Sequence, residues 1–230
     1  MKYKSTRNKN LRVTAAQAIT QGLSEEGGLF VPVGLPHFSM DTVREMMEMS
    51  YIDRAKTVLR TFLTDFSDEE LNYCVEGAYR ADKFSSPAVA PTVNIGGKEN
   101  ILELWHGPTS AFKDMALQML PRLLSAALRK TGEKRTACIL AATSGDTGKA
   151  AMAGFADVPQ TCIQVYYPKN GVSPVQERQM VTQKGENVDV RAVIGNFDDA
   201  QAGVKRIFSD EAVRAELDKR GYFLSSANSI

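Results

Sequence analysis

Residues 136–148 read Thr-Ala-Cys-Ile-Leu-Ala-Ala-Thr-Ser-Gly-Asp-Thr-Gly, and this stretch decides the fold. Thr136 to Ala142 is a continuous apolar run with the length of a strand buried on both faces. Thr143 to Gly148 interrupts it with hydroxyls and two glycines, and Lys149 to Phe155 resumes at helical spacing. A buried strand that runs directly into a helix opens a βαβ unit, because parallel neighbours need a crossover between them. The pattern repeats downstream. Thr161 to Tyr167 is a second strand, and Ser173-Pro174 supplies an N-cap and an N1 proline for a helix ending before Gly185. Val188 to Val193 is a third strand. Asp198 to Lys219 is helical with a break near Ser209-Asp210, and Tyr222 to Ser226 is a fourth strand. The expected architecture is α/β: a parallel sheet covered by helices on both faces, in three layers.

Upstream, Val89 to Ile95 and Asn100 to Leu104 flank Gly96-Gly97 as a hairpin. Met115 to Lys130 is helical, with Pro121 expected to kink or split it. Ser85-Ser86-Pro87 marks a change of texture, so the chain divides into residues 1–86, mainly helical, and residues 87–230, the α/β domain. In the first part Thr14-x-x-Gln17 and Ser67-x-x-Glu70 are capping boxes that open helices at Ala15 to Gln21 and Asp68 to Tyr79. Between them Met46, Met47, Met49, Val58, Leu59, Phe62 and Leu63 recur at helical spacing, the methionines reading as core filler.

Composition narrows the function classes. The 230 residues carry 28 Lys+Arg against 27 Asp+Glu, a net charge of +1, which lacks the concentrated basic excess of a nucleic-acid binder. No apolar stretch approaches a membrane span, and the basic start, Met1 to Arg12, has no apolar segment behind it, so the expected compartment is the cytoplasm. Cys74, Cys138 and Cys162 form no C-x-x-C pair and read as buried thiols, neither disulfide framework nor metal site.

Two segments carry chemistry. In open α/β sheets ligands bind beyond the carboxyl ends of the strands. Thr143-Ser144-Gly145-Asp146-Thr147-Gly148 occupies that place, with glycines for a tight turn, hydroxyls, and helix N-terminal amides that favour an anion. It matches neither the dinucleotide fingerprint nor the P-loop. The same residues also serve a plain strand-to-helix turn that only caps its helix. The second segment is Leu104-Trp105-His106-Gly107-Pro108-Thr109-Ser110-Ala111-Phe112-Lys113-Asp114. Lys113 lies near a helix N-terminus, an unfavourable place for a cation, beside the apolar Phe112. Both features lower a lysine's pKa, as a Schiff-base amine requires. The alternative is a solvated lysine paired with Asp114. His106 reads as a hydrogen-bonded loop residue, with contact to substrate as the alternative, and Lys169, Arg178 and Lys184 read either as cations for a phosphate or as ordinary surface charges.

These residues resemble a known family. Glu103 to Asp114 followed by Ala116-Leu117-Gln118 is similar to the pyridoxal-phosphate lysine segment of the threonine synthases, and Ala142 to Gly148 to that family's second signature. Tyr3-x-Ser5-Thr6-Arg7, Gly27-Gly28-Leu29-Phe30-Val31-Pro32, and Tyr167-Pro168-Lys169 through Ser173-Pro174-Val175-Gln176-Glu177 extend the resemblance, in order, along the whole chain. It implies the fold-type-II pyridoxal-phosphate architecture, like the tryptophan synthase β chain. It implies conversion of O-phospho-L-homoserine and water to L-threonine and phosphate. Lys113 would hold the cofactor covalently and shuttle protons, with Phe112 and Asp146 also at the cofactor. Thr143, Ser144, Gly145, Thr147, Gly148 and Lys169 would bind substrate. Related families often carry Asn where Asp146 stands, so a carboxylate there would repel the cofactor's phenolic oxygen unless one of the two is protonated. The family continues for about as many residues again, so the chain reads as an N-terminal half, expected to bind cofactor weakly or not at all alone and to be inactive. Its oligomeric state reads as monomer or homodimer. Other readings are a serine or threonine dehydratase-like lyase of the same fold type, and a non-catalytic module for a phosphate ligand.

Overall fold

A computed structural model describes residues 1–227. In chain order its elements are β1 (Tyr3–Ser5), α1 (Ala15–Gln21), β2 (Phe30–Pro32), α2 (Met40–Glu48), α3 (Tyr51–Phe62), α4 (Asp68–Ala78), β3 (Thr92–Gly96), β4 (Glu99–Leu102), α5 (Asp114–Leu117), α6 (Leu120–Thr131), β5 (Thr136–Ala142), α7 (Asp146–Phe155), β6 (Thr161–Pro168), α8 (Pro174–Val181), β7 (Val188–Val193), α9 (Phe197–Ser209), α10 (Glu211–Lys219) and β8 (Tyr222–Ser226). The chain forms two compact units: residues 1–107 with 122–132, and residues 108–121 with 133–230. This division differs from a cut at Ser86-Pro87, since it keeps the β3–β4 hairpin with the first unit.

In the first unit both expected capping boxes are present, Thr14 with Gln17 and Ser67 with Glu70. The amides of Ala15 and Ala16 also donate to the Asp65 carboxylate, 3.2 and 2.9 Å away, so the first turn of α1 carries a negative charge where a helix favours one. α4 and α6 meet closely. A Cβ on Gly77 would lie 2.2 Å from Arg122, Lys130 pairs with Glu70 at 3.0 Å, and Leu71, Val75, Ala78, Ala127 and Leu128 are buried. The methionine expectation fails. Neither α2 nor α3 buries a residue, and Met47 is 72% exposed. Helical spacing of apolar residues marks an amphipathic face but does not say what covers it. The hairpin is antiparallel as expected, with a bulge between Asn94 and Gly96. It begins at Thr92, because Val89 is buried and turns into the left-handed region at φ 60°.

The second unit is a four-stranded parallel sheet in the order β7-β6-β5-β8. Its strands match the sequence expectation, and Pro121 does divide the expected Met115 to Lys130 helix, into α5 and α6. Side chains alternate across a strand. Leu140 and Ala142 therefore face one way, onto Ala200 and Val204 of α9. Ile139, Ala141, Ile163 and Val165 face the other way and are buried. α7 lies on that second face, where Gly148 would press a Cβ to 2.8 Å from Val165 Cγ1. From β5 the chain winds outward through α7, β6, α8 and β7, then returns through α9 and α10 to set β8 on the opposite side of β5. The winding direction reverses between β5 and β8, the place where an open sheet forms a crevice beyond its carboxyl ends. Residues 143–148 leave β5 at that point.

Candidate active site

Two buried polar side chains organise the two loops of the second unit that carry chemistry. In the first loop, Asp114 is fully buried. Its Oδ2 accepts from the Thr109 amide at 2.8 Å and its Oδ1 from the Thr109 hydroxyl at 2.7 Å. These bonds close residues 109–114 into a tight turn and hold Ser110 at φ 57°, a conformation that costs a non-glycine residue on the order of 1 kcal/mol. Lys113 follows as the N-cap of α5 at φ −66°, ψ −18°, half-buried. Among the described residues it makes no ion pair. Its ammonium lies 4.9 Å from the centre of the Phe112 ring, and Phe112 is 58% exposed.

The pairing of Lys113 with Asp114 is therefore not what the structure shows: Asp114 is occupied by Thr109. α5 is a single turn, so the electrostatic argument from a long helix does not carry over to Lys113. The cation that faces Asp114 is Lys149, in the first turns of α7. Burial raises the pKa of Asp114 above the usual carboxylate range, opposed by the Thr109 and Ala111 hydrogen bonds and by Lys149. Burial lowers the pKa of Lys149, opposed by Asp114. Lys149 also donates to Gln183 Oε1. Farther along, Gly154 of α7 would place a Cβ 2.0 Å from the Leu117 carbonyl oxygen, so only glycine lets α5 lie against α7. That contact sets α5 against α7, and the Asp114–Lys149 interaction ties the residue next to Lys113 to α7 as well.

In the second loop, the buried Thr143 hydroxyl accepts from the amides of Gly145 at 3.0 Å and Gly148 at 2.9 Å. Two amides of the loop thus have an internal acceptor, as in the capping turn that the sequence also allowed. Among the described residues, the amides of Ser144, Asp146 and Thr147 have no such partner. Ser144 and Asp146 are exposed and Thr147 half-buried. Gly145 adopts φ 140°, and a Cβ there would lie 2.4 Å from the Gln176 side chain. Gln176 completes the capping box of α8 with Ser173 and donates to Asp146 Oδ1 at 2.7 Å. The Ser173 to Glu177 segment thus fixes the carboxylate at the start of α7, an arrangement invisible in the sequence because it joins residues 30 positions apart. Lys169 is exposed past the end of β6, its amide bonded to the Val193 carbonyl at 2.8 Å.

In the first unit, His106 is held from both ring nitrogens, Nδ1 against Ser85 Oγ at 2.9 Å and Nε2 against Glu103 Oε2 at 2.7 Å. This is the hydrogen-bonded loop residue expected of it, and Glu103 and Ser85 are the partners that sequence reasoning did not name. Among the described residues no group of three metal-ligating side chains occurs, and no helix is long and apolar enough to cross a membrane.

A lysine amine without an ionic partner, an aromatic ring beside it, and free amides and hydroxyls at a sheet's switch point suit an anionic group that bonds covalently to an amine. Known proteins point the same way. The family model described as threonine synthase N terminus matches residues 2–79. Threonine synthase of Pseudomonas aeruginosa is 40% identical over 231 residues, covering 100% of this chain and 47% of that protein. Threonine synthase of Escherichia coli is 38% identical, covering 100% of this chain and 50% of that protein. The crystal structure of threonine synthase from Brucella melitensis with bound pyridoxal phosphate superposes with a TM-score of 0.90 at 39% identity, over 100% of this chain and 48% of that one. The chain spans about half the length of the curated relatives it matches. In sequence from end to end, and in fold, the chain matches the N-terminal half of the threonine synthases.

Proposed function

We propose that this chain supplies the lysine-bearing part of a pyridoxal-phosphate-dependent lyase that converts O-phospho-L-homoserine and water to L-threonine and phosphate. The observation that carries the reading is Lys113: a half-buried amine beside the Phe112 ring, without an ionic partner among the described residues. The residues present fit the cofactor. An amine that no carboxylate holds as an ammonium gives up its proton more readily and then has a lone pair to bond an aldehyde, and Phe112 offers an exposed ring for a planar aromatic group to lie against. When bound, pyridoxal phosphate supplies an electron sink that acidifies hydrogens along the substrate chain so that phosphate can leave.

The chain's own residues do the rest. Lys113 Nζ is the attachment point and, once released, a base that takes and returns protons at the substrate carbons. Ser144 and Thr147, through their hydroxyls and amides together with the Asp146 amide, bind the substrate carboxylate at the helix N-terminus. Thr143, Gly145 and Gly148 act in substrate binding by holding those donors in place. Asp146, which accepts from Gln176, would offer the cofactor an acceptor. Lys169 serves the substrate phosphate as a cation. A cytoplasmic setting, with the chain as monomer or homodimer, belongs to the same reading.

The test is to mix the protein with pyridoxal phosphate, reduce with borohydride and map the labelled peptides. Reduction accumulates even a weakly held adduct. We expect label concentrated on Lys113 and lost in Lys113→Ala. Label spread evenly over surface lysines, or placed on Lys149, would overturn the assignment.

A further inference from the structure

Cys138 and Cys162 were expected as separate buried thiols; only Cys74 is fully buried. The register of the sheet sets the other two opposite each other, Cys138 on β5 against Cys162 on β6. Neighbouring strands stand about 4.7–4.9 Å apart, inside the roughly 4.4–6.8 Å range of Cα separations that a disulfide spans. Register partners on parallel strands project to the same face, here the α9 face, where Cys138 packs against the cluster of Leu140, Ala142, Ala200 and Val204. Both thiols are half-buried, whereas Ala137, Ile139 and Ile163 beside them on the other face are buried. Both are free cysteines.

We propose that Cys138 and Cys162 form a dithiol modification site that closes to a disulfide by exchange with a small-molecule disulfide of the glutathione type. The Cys162 thiolate attacks one sulfur of the small disulfide and expels the first thiolate, leaving a mixed disulfide on Cys162. Cys138 then loses its proton to solvent and attacks the Cys162 sulfur, and the second small thiolate leaves. Two protein thiols lose two electrons and two protons, and one small disulfide becomes two thiols. The order follows from the pair itself. Cys138 is the one packed against the α9 cluster, and contact between the two thiols lowers the pKa of Cys162 while the same contact and burial raise that of Cys138. In-register parallel strands hold their Cβ atoms about a strand spacing apart, wider than the roughly 3.5–4.5 Å a relaxed disulfide prefers. The bond is therefore strained and readily reduced again. Five residues separate Cys138 from Thr143 along β5, about 16 Å at strand rise, so this site is distinct from the one that holds Lys113.

The test treats the native protein with oxidised glutathione, alkylates the remaining thiols and maps the peptides, with far-UV circular dichroism confirming the fold of every sample. We expect the Cys138 and Cys162 peptides joined, Cys74 alkylated, and the link removed by dithiothreitol. In Cys138→Ser, glutathione should stay on Cys162, at least about tenfold faster than it adds to Cys138 in Cys162→Ser. Glutathione on Cys74, on Cys138 and Cys162 separately without a joined peptide, or on none of the three would overturn the proposal.

Discussion

The two chemistry-bearing loops are built on one plan with different chemistry. Each is closed by a single buried polar side chain that accepts two hydrogen bonds from its own loop, Asp114 from Thr109 and Thr143 from Gly145 and Gly148. The Thr143 loop is closed by a neutral hydroxyl and flows into a helix ten residues long. The Asp114 loop is closed by an ionisable group whose pKa burial raises, and it runs into a four-residue turn that depends on Gly154 of another helix for its place. The neutral closure carries a long helix of its own and is braced by Gln176 of α8. A charged closure on one helical turn is held from outside, and that is the loop that bears the lysine.

The sharpest way to break this contrast is Gly154→Ala. The added methyl meets the Leu117 backbone, which has no side-chain freedom to yield, so we expect a loss of about 3 kcal/mol, at the upper end of overpacking costs. Borohydride labelling of Lys113 should fall while the sheet's circular dichroism persists. Unchanged labelling would show that α5 does not depend on that contact. Thr143→Val keeps shape but leaves the Gly145 and Gly148 amides without their acceptor. The expected cost is about 2 kcal/mol in urea unfolding, with Thr143→Ser restoring most of it.

The smallest effect sharpens the comparison through pH. Because the folded pKa of Asp114 is raised, the folded protein binds its proton more tightly than the unfolded chain. That stability is fully present below the ordinary carboxylate pKa and is lost as pH rises through the folded value. Lys149 acts in another window: its lowered pKa makes stability rise with pH between its folded value and the ordinary lysine value. Asp114→Asn should flatten the acid-side decline, measured as the unfolding midpoint against pH, while an unaltered profile would assign the decline to other carboxylates.

Much of this was legible in the sequence, for reasons that also explain the gaps. Thr136 to Ala142 could be read as a buried strand because a continuous apolar run of that length has few other uses, and Ser173-Pro174 opened its helix as expected because capping is local chemistry. Thr92 to Leu102 was equally legible as a hairpin, yet every residue of both strands is exposed, since alternation names an element and not its cover. In the site, Lys113 and the Thr143 loop could be found from residue types. The Thr109 clasp on Asp114, the Gln176 bond to Asp146 and the Cys138–Cys162 pairing could not, because each is set by tertiary register. Thr143 was ambiguous for a different reason: a hydroxyl that caps a helix and one that binds an anion are the same residue in the same place.

The division into two units bears on how the chain is made. Neither unit is continuous: the first needs residues 122–132, and the second begins with residues 108–121. On a ribosome the first unit stays unfinished after Gly107 until another 25 residues, to Gly132, have emerged. At about 5–20 residues per second that is a delay of a few seconds. During it the α4 surface that α6 covers waits for its partner, and the lysine loop emerges before any strand of its own sheet. A break in synthesis or a protease cut between Gly107 and Gly132 would therefore strike both units at once, although the first has all its residues well before the second.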